Sequence, residues 1–428
     1  MKVLISAVGD TDPIRGNHDG PLLHISRHYR PERIILIYSE GMIHKKKRIE
    51  KAILSIPDYH PEIVVDSKIL ADNDVFRFDR MYEQLLEIIN KHINEDDEFL
   101  LNLSSATAQV TSAMFTINKI NNLNVRAIQV PTPRKGSNRN NPDDQKDIEL
   151  LISENKDACQ DAEKRIIEED AEKFSQSLIK RNLRELIIHY DYQGAYELLL
   201  QKENKKLISY SKRAKLLSQT EKLMDSFKYQ KILPDLLEDA EATEKQRKVF
   251  NSFLLIDIIN RRGLIADVLI KSKSLAEFVL QDYIDSNYSD LILTEDGLPK
   301  INENHPLAET VNNYISDDFK ARMGENYDDN KPYDTRSTLN IHSFINIIDC
   351  LEKDNQLTRL VKPILVLNAM RNKIAHGLSE IDRQLVNNKK LKELLTNLKQ
   401  LVISIYNVDE SYFDYFEEKN KYLFQLLN

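Results

Sequence analysis

Toward the N-terminus, continuous apolar runs at 3–8, 33–38, 62–65, 99–103 and 125–130 alternate with segments at 22–29, 44–56, 78–93 and 106–120 whose apolar residues recur at helical spacing. An unbroken apolar run of strand length suits a strand covered on both faces, so the alternation predicts a parallel sheet wrapped by helices. Right-handed crossovers then put ligand-binding loops at the carboxyl ends of the strands. From Pro131 the pattern changes: Pro131, Pro133, Gly136, Asn138, Asn140, Asn141 and Pro142 make a turn-rich break, and 147–190 reads as one long charged helix. Helical spacing returns at 216–223, 248–260, 264–286, 341–351, 357–377 and 391–406, with polar loops expected at 286–309 and 316–340. The expected fold is α/β plus α, an N-terminal parallel-sheet platform followed by a C-terminal all-helical domain.

Two strand ends carry candidate chemistry. After the first strand come Gly9, Asp10, Thr11, Asp12 and Pro13; after the fourth come Asn102, Leu103, Ser104, Ser105, Ala106, Thr107, Ala108 and Gln109. The second segment joins a strand end to a helix start through small hydroxyl residues, which aims free backbone N–H groups above the sheet, where a phosphate fits. It also reads as a plain N-cap at Ser104 or Ser105, since many helices start this way. Neither loop has the three spaced glycines of a dinucleotide site or the Gly-Lys-Ser/Thr of a P-loop, so hydride transfer and NTP hydrolysis are poor expectations.

The helix expected over 357–377 ends in Arg371, Asn372, Lys373, Ile374, Ala375, His376 and Gly377. Guanidinium is a fixed fork of donors suited to phosphate, and imidazole exchanges a proton near neutral pH, so the pair suits RNA cleavage without a metal. Asn372 lies four residues before His376, on the same helix face. Arg371 can also be read as a cation complementing the helix dipole. The same Arg-to-His spacing recurs at Arg184 and His189, expected to be a half-buried structural pair, and one residue longer at Arg336 and His342, where Arg336 lies in an expected loop.

A length of 428 residues suggests two or three domains, and 41% hydrophobic with 30% charged residues is a globular composition. The two cysteines, Cys159 and Cys350, support neither a disulfide framework nor a cysteine zinc site and suit a reducing compartment. With no run long enough to cross a bilayer and a first strand too short for a signal peptide, a cytoplasmic protein is expected. The net charge of -8 argues against non-specific coating of nucleic acid, so RNA contact must be local. The basic runs 44–48 and 134–139 are candidates, the first read as a solvated helix face and the second as a loop.

A strand-end motif at 102–109 followed by helices bearing Arg371, Asn372 and His376 resembles the CRISPR-associated ribonucleases of type III systems that join a CARF sensor to a HEPN effector, and among them the type III-A, Csm-branch accessory ribonucleases. The resemblance spans the whole chain, and Arg371, Asn372 and His376 match the HEPN pattern of Arg, a polar residue, variable residues and His. It implies a Rossmann-like CARF domain at 1–145, a helical linker at 146–190 and a helical region with the HEPN domain at 191–428. It also implies binding of a cyclic oligoadenylate, hexaadenylate first and tetraadenylate second, through Gly9, Asp10, Asp12, Ser104, Ser105, Thr107 and Gln109. Many relatives have glycine in place of Ala106.

The implied activity is endonucleolytic cleavage of single-stranded RNA in antiviral defence, activated by the ring, with no cofactor or metal. Attack by the substrate's own 2′-hydroxyl would leave a 2′,3′-cyclic phosphate. One Arg and one His are few for both acid and base, and the family's remedy is a homodimer whose two HEPN domains build one composite site. Two other readings stay open: a non-catalytic ligand-sensing regulator, and a stand-alone toxin ribonuclease whose N-terminal domain binds an antitoxin.

Overall fold

The computed structural model describes residues 1–121, 123, 125–133, 145–206, 208–238, 242–328, 330, 332–365 and 388–428. These form two compact units, Met1–Ser175 and Gln176–Asn428.

In the first unit the elements are β1 (Lys2–Ala7), β2 (Ile14–Arg15), β3 (His18–Asp19), α1 (Pro21–Tyr29), β4 (Arg33–Ile37), α2 (Lys46–Leu54), β5 (Glu62–Val65), α3 (Phe78–His92), β6 (Glu98–Asn102), α4 (Ala108–Ile120), β7 (Val125–Gln129), α5 (Ile148–Ser153) and β8 (Ile167–Glu168). The main sheet runs β5-β4-β1-β6-β7-β8; all pairs are parallel except β7 with β8. Residues alternate across it. Val3, Ile5, Phe99 and Leu101 bury against α3 and α4, whereas Leu4, Ile34, Leu36 and Leu100 bury against α1 and α2. Both faces are covered, which is why the strands read as unbroken apolar runs. From β1 the chain moves to β4 and β5 on one side and then to β6 and β7 on the other. The carboxyl ends of β1 and β6 therefore flank the point where strand order reverses, the natural crevice of such a sheet.

The long helix expected over 147–190 does not form. α5 ends at Ser153, β8 pairs with β7, and a new helix, α6 (Glu172–Ile188), begins beyond it. The intervening chain is held by tertiary polar contacts that outweigh local helical spacing. The buried Asp157 carboxylate accepts from the Asp19 N–H at 2.9 Å, from His18 Nδ1 at 3.0 Å and from Arg165 at 2.6 Å. Asp19 accepts from Arg27 at 2.8 and 3.1 Å and from Asn155 at 2.7 Å. Burial alone would raise the Asp19 carboxyl, but hydrogen bonds from His24 and Arg27 outweigh it and hold it at about 2.

The second unit continues with α7 (Tyr192–Leu200), α8 (Tyr210–Tyr229), α9 (Glu244–Arg261), α10 (Ile265–Asn287), β9 (Ile292–Glu295), β10 (Leu298–Ile301), α11 (Ala308–Met323), α12 (Ile341–Leu351) and the helices Asn388–Tyr406 and Tyr415–Leu427. α10 packs against α9, α12 and Asn388–Tyr406. Phe413 meets the rings of Phe250 and Phe253 edge-on at 4.9 and 5.2 Å. The expected loop at 286–309 instead contains the hairpin β9–β10, whose turn residues Asp296 and Gly297 take φ of 50° and 78°, the left-handed pair that an Asp-Gly hairpin turn supplies. The expected loop at 316–340 begins inside α11, which buries Val311 and Ile315. Among the described residues no helix is long and apolar enough to cross a membrane.

Candidate functional site

The loops after β1 and β6 meet. A β-carbon on Gly9 would lie 2.3 Å from the backbone nitrogen of Ala106 and 3.2 Å from the carbonyl carbon of Ser105, so only glycine permits this approach. Ala106 itself has φ of 74°, a left-handed conformation that glycine adopts without the steric cost alanine carries.

A buried hydrogen-bond chain joins the same loops. The Asn102 amide donates to Ser6 Oγ at 2.9 Å and to Ser105 Oγ at 2.8 Å, while its oxygen accepts from the Ser104 N–H at 2.9 Å. Asp12, 1% exposed, accepts from the N–H of Gly9 and of Leu22, each at 3.0 Å, and Ser105 hydrogen-bonds the same carboxylate. Burial pushes the Asp12 carboxyl up, offset in part by those donors and by the nearby Lys45 charge. Asp12 thus binds the first loop, the start of α1 and the strand-end motif together. Its oxygens face protein donors.

The other expected residues are distributed as follows. Asp10 has an exposed carboxylate, 3.1 Å from Arg15. Ser104 Oγ accepts from the Val130 N–H at 2.7 Å, and Ser105 is buried. The N-cap of α4 is Thr107 rather than Ser104 or Ser105: its hydroxyl accepts from the Val110 N–H at 3.4 Å and donates to the Val75 carbonyl at 2.6 Å. The cap falls there because the left-handed Ala106 turns the chain one residue earlier. The Gln109 side chain, half-buried on the first turn of α4, has no hydrogen-bond partner among the described residues. The free N–H groups at the start of α4 and the Gln109 amide give this end of the sheet donors for an anionic, base-bearing ligand.

Two residues of the site were not among the expected ligand residues. Asn102 was legible as a polar residue closing the apolar run Phe99–Leu101; a buried amide at a strand end needs partners, and here they are the turn itself. Lys45 was not legible. The run 44–48 was expected to be a solvated helix face, yet the Lys45 side chain is fully buried and donates to the carbonyls of Asp10 at 2.7 Å and Asp12 at 3.2 Å.

Arg371, Asn372 and His376 lie outside the described residues, as does the basic run 134–139. The helix leading toward them is described from 356 to 365, with Val361 and Ile364 buried in the core of the second unit. The other Arg-to-His copies lie among the described residues. His189 is exposed at the end of α6 rather than half-buried, because the inward face of the helix there is made by Leu183, Leu186 and Ile187; Arg184 bonds Asn428. Arg336 pairs with Glu303 on an exposed turn.

Comparison with known proteins is consistent across the chain. Residues 62–166 match the Cas_Csm6 CARF domain and residues 236–424 the Cas_Csm6 HEPN domain. The sequence is 45% identical to a CRISPR system endoribonuclease Csm6 of Streptococcus thermophilus and 36% identical to a Csm6′ endoribonuclease of the same organism, each alignment covering 100% of both chains. Among solved structures, Enterococcus italicus Csm6 bound to cyclic hexa-2′-fluoro-hexa-dAMP aligns over 100% of both chains at 25% identity with a TM-score of 0.69.

Proposed function

Because this chain belongs to the Csm6 family of CRISPR-associated endoribonucleases, with a CARF domain followed by a helical HEPN domain, we propose that it cuts single-stranded RNA at Arg371, Asn372 and His376 and is switched on by cyclic hexaadenylate. We assign sensing to the first unit, Met1–Ser175, which takes in α5 and β8 from the expected linker 146–190, and cleavage to the second, Gln176–Asn428, in a cytoplasmic homodimer whose HEPN domains share one composite site. The observation that carries the reading is that the matched HEPN region, 236–424, encloses Arg371, Asn372 and His376.

The side chains suit a metal-free transesterification. The ribose 2′-hydroxyl attacks the adjacent phosphate as its proton leaves, the bond to the 5′-oxygen breaks, and that oxygen takes up a proton. His376 moves protons, Arg371 stabilises the charge on the phosphorane, and Asn372 orients imidazole or phosphate. In the sensor, Gly9, Ser104, Thr107 and Gln109 surround the ring, Asp10 lies at its edge, and the buried Ser105 and Asp12, expected as ligand residues, keep the two loops together. Hexaadenylate is favoured over tetraadenylate because the Enterococcus italicus relative was solved with a ring of six nucleotides.

The test is RNA cleavage with and without cyclic oligoadenylates of different ring size. Activation by hexaadenylate at concentrations where tetraadenylate is inert supports the reading. Cleavage indifferent to every ring points to a stand-alone ribonuclease, and no cleavage under any condition to a silent sensor.

A further inference from the structure

Lys45 is buried while its neighbours Lys46 and Lys47 are exposed. A buried ammonium is costly unless it is hydrogen-bonded, and the partners here are the main-chain carbonyls of Asp10 at 2.7 Å and Asp12 at 3.2 Å, with Asp10 Oδ1 at 3.8 Å. A trans peptide is planar, so holding the Asp10 carbonyl on Lys45 turns the Thr11 N–H the opposite way. Of the loop's other N–H groups, Gly9 donates to Asp12 Oδ2 and Asp12 to the Gly9 carbonyl, whereas that of Asp10 has no acceptor among the described residues. Among the described residues the Thr11 N–H has no acceptor.

We infer that Lys45 is a positioning residue for the activator, and that the Thr11 N–H it orients donates to a phosphate of the ring. The inference rests on the proposed sensing of a cyclic oligoadenylate. The lysine acts twice. It fixes the peptide that presents the donor, and its charge, held in a poorly screened interior, raises the potential felt by an anion above the loop.

The full-length protein with cyclic hexaadenylate and a single-stranded RNA substrate provides the test. Replacing the ammonium, Lys45→Met, should raise the half-activating ring concentration by about tenfold or more while the rate at saturating ring stays within about twofold. Lys45→Gln, which keeps a donor but not the charge, should fall between. In wild-type protein labelled with ¹⁵N-threonine, the Thr11 amide resonance should move on adding the ring. A lysine that serves folding alone would lower the melting temperature and leave half-activation unchanged below it; that result, or a stationary Thr11 resonance at saturation, overturns the inference. If neither variant folds, the Thr11 resonance decides alone. Wild-type protein activated by no ring would overturn the sensor reading and this inference with it, whereas normal wild-type activation with an unaltered Lys45→Met curve defeats only the latter.

Discussion

The backbone of Gly9 packs so closely on Ala106 that a β-carbon on the glycine would stand 2.3 Å from the alanine nitrogen. This contact joins the ends of β1 and β6 at the reversal of strand order. Gly9→Ala should therefore destabilise the first unit by about 1–3 kcal/mol and raise the ring concentration needed for activation. Thermal unfolding and an activation curve check both. Ala106→Gly should cause no loss and add up to about 1 kcal/mol, since it removes a left-handed alanine. The double variant should not recover, because the obstruction is main-chain nitrogen; recovery would show that the contact relaxes through Ala106.

Thr107 and Gln109 sit on the same helix start with different duties. Thr107→Ala removes a cap and a bond to the Val75 carbonyl, so it should cost about 1 kcal/mol as well as activator sensitivity, and Thr107→Ser should restore much of both. Gln109→Ala should leave the melting temperature unchanged and shift only the activation curve. If Gln109→Ala leaves that curve in place, the ring does not reach the first turn of α4.

For catalysis, His376→Ala and Arg371→Ala should each lower cleavage by roughly 10²- to 10⁴-fold with dimerisation intact. His189→Ala is the control: with an exposed ring, it should change neither rate nor stability. Should His189→Ala abolish cleavage while His376→Ala does not, the wrong Arg-to-His copy has been chosen. Chelator should spare activity, and a deoxyribose before the scissile bond should block it; restoration of lost activity by added divalent ion would point to a metal-dependent cut.

Acid should loosen the first unit through the Asp19 and Asp157 cluster. The folded Asp19 carboxyl, at about 2, lies below its ordinary value, so the stability it contributes is present above that ordinary value and is lost as pH falls toward 2. The magnitude is about 2 kcal/mol. Asp157 is also held low; burial opposes this, and the bonds from His18 and Arg165 outweigh it. Melting followed from pH 5 to about pH 2 should fall more steeply for wild type than for Asp19→Asn, which starts lower. Equal slopes would mean that Asp19 is not held low in the folded state.

Local spacing and composition were enough to reveal the parallel-sheet unit, the strand ends that carry candidate ligand residues, and the Arg371 to His376 motif. These depend on periods of two and 3.6 residues and on short motifs, which survive in a linear string. β1, β4, β5, β6 and β7 begin and end within a residue or so of the expected runs, and in β1, β4 and β6 burial on both faces leaves an uninterrupted apolar signature. The hairpin β9–β10 was readable too, in Asp296 and Gly297, but polar composition masked it.

Tertiary structure alone decided the rest. Nothing near Lys45 in the chain marks it off from Lys46 and Lys47; its burial follows from the path of the β1 loop, thirty-odd residues away. The break in the expected helix at 147–190 depends on Asp157 meeting His18 and Asp19, and Asp12 became a bridge between loops because Gly9, Leu22 and Ser105 converge on it. Sequence could name these residues as polar and near a strand end. Which of them faces a ligand and which faces a buried N–H is set by partners distant along the chain, because a buried charge takes the nearest available donor or acceptor in space, whatever its separation in sequence.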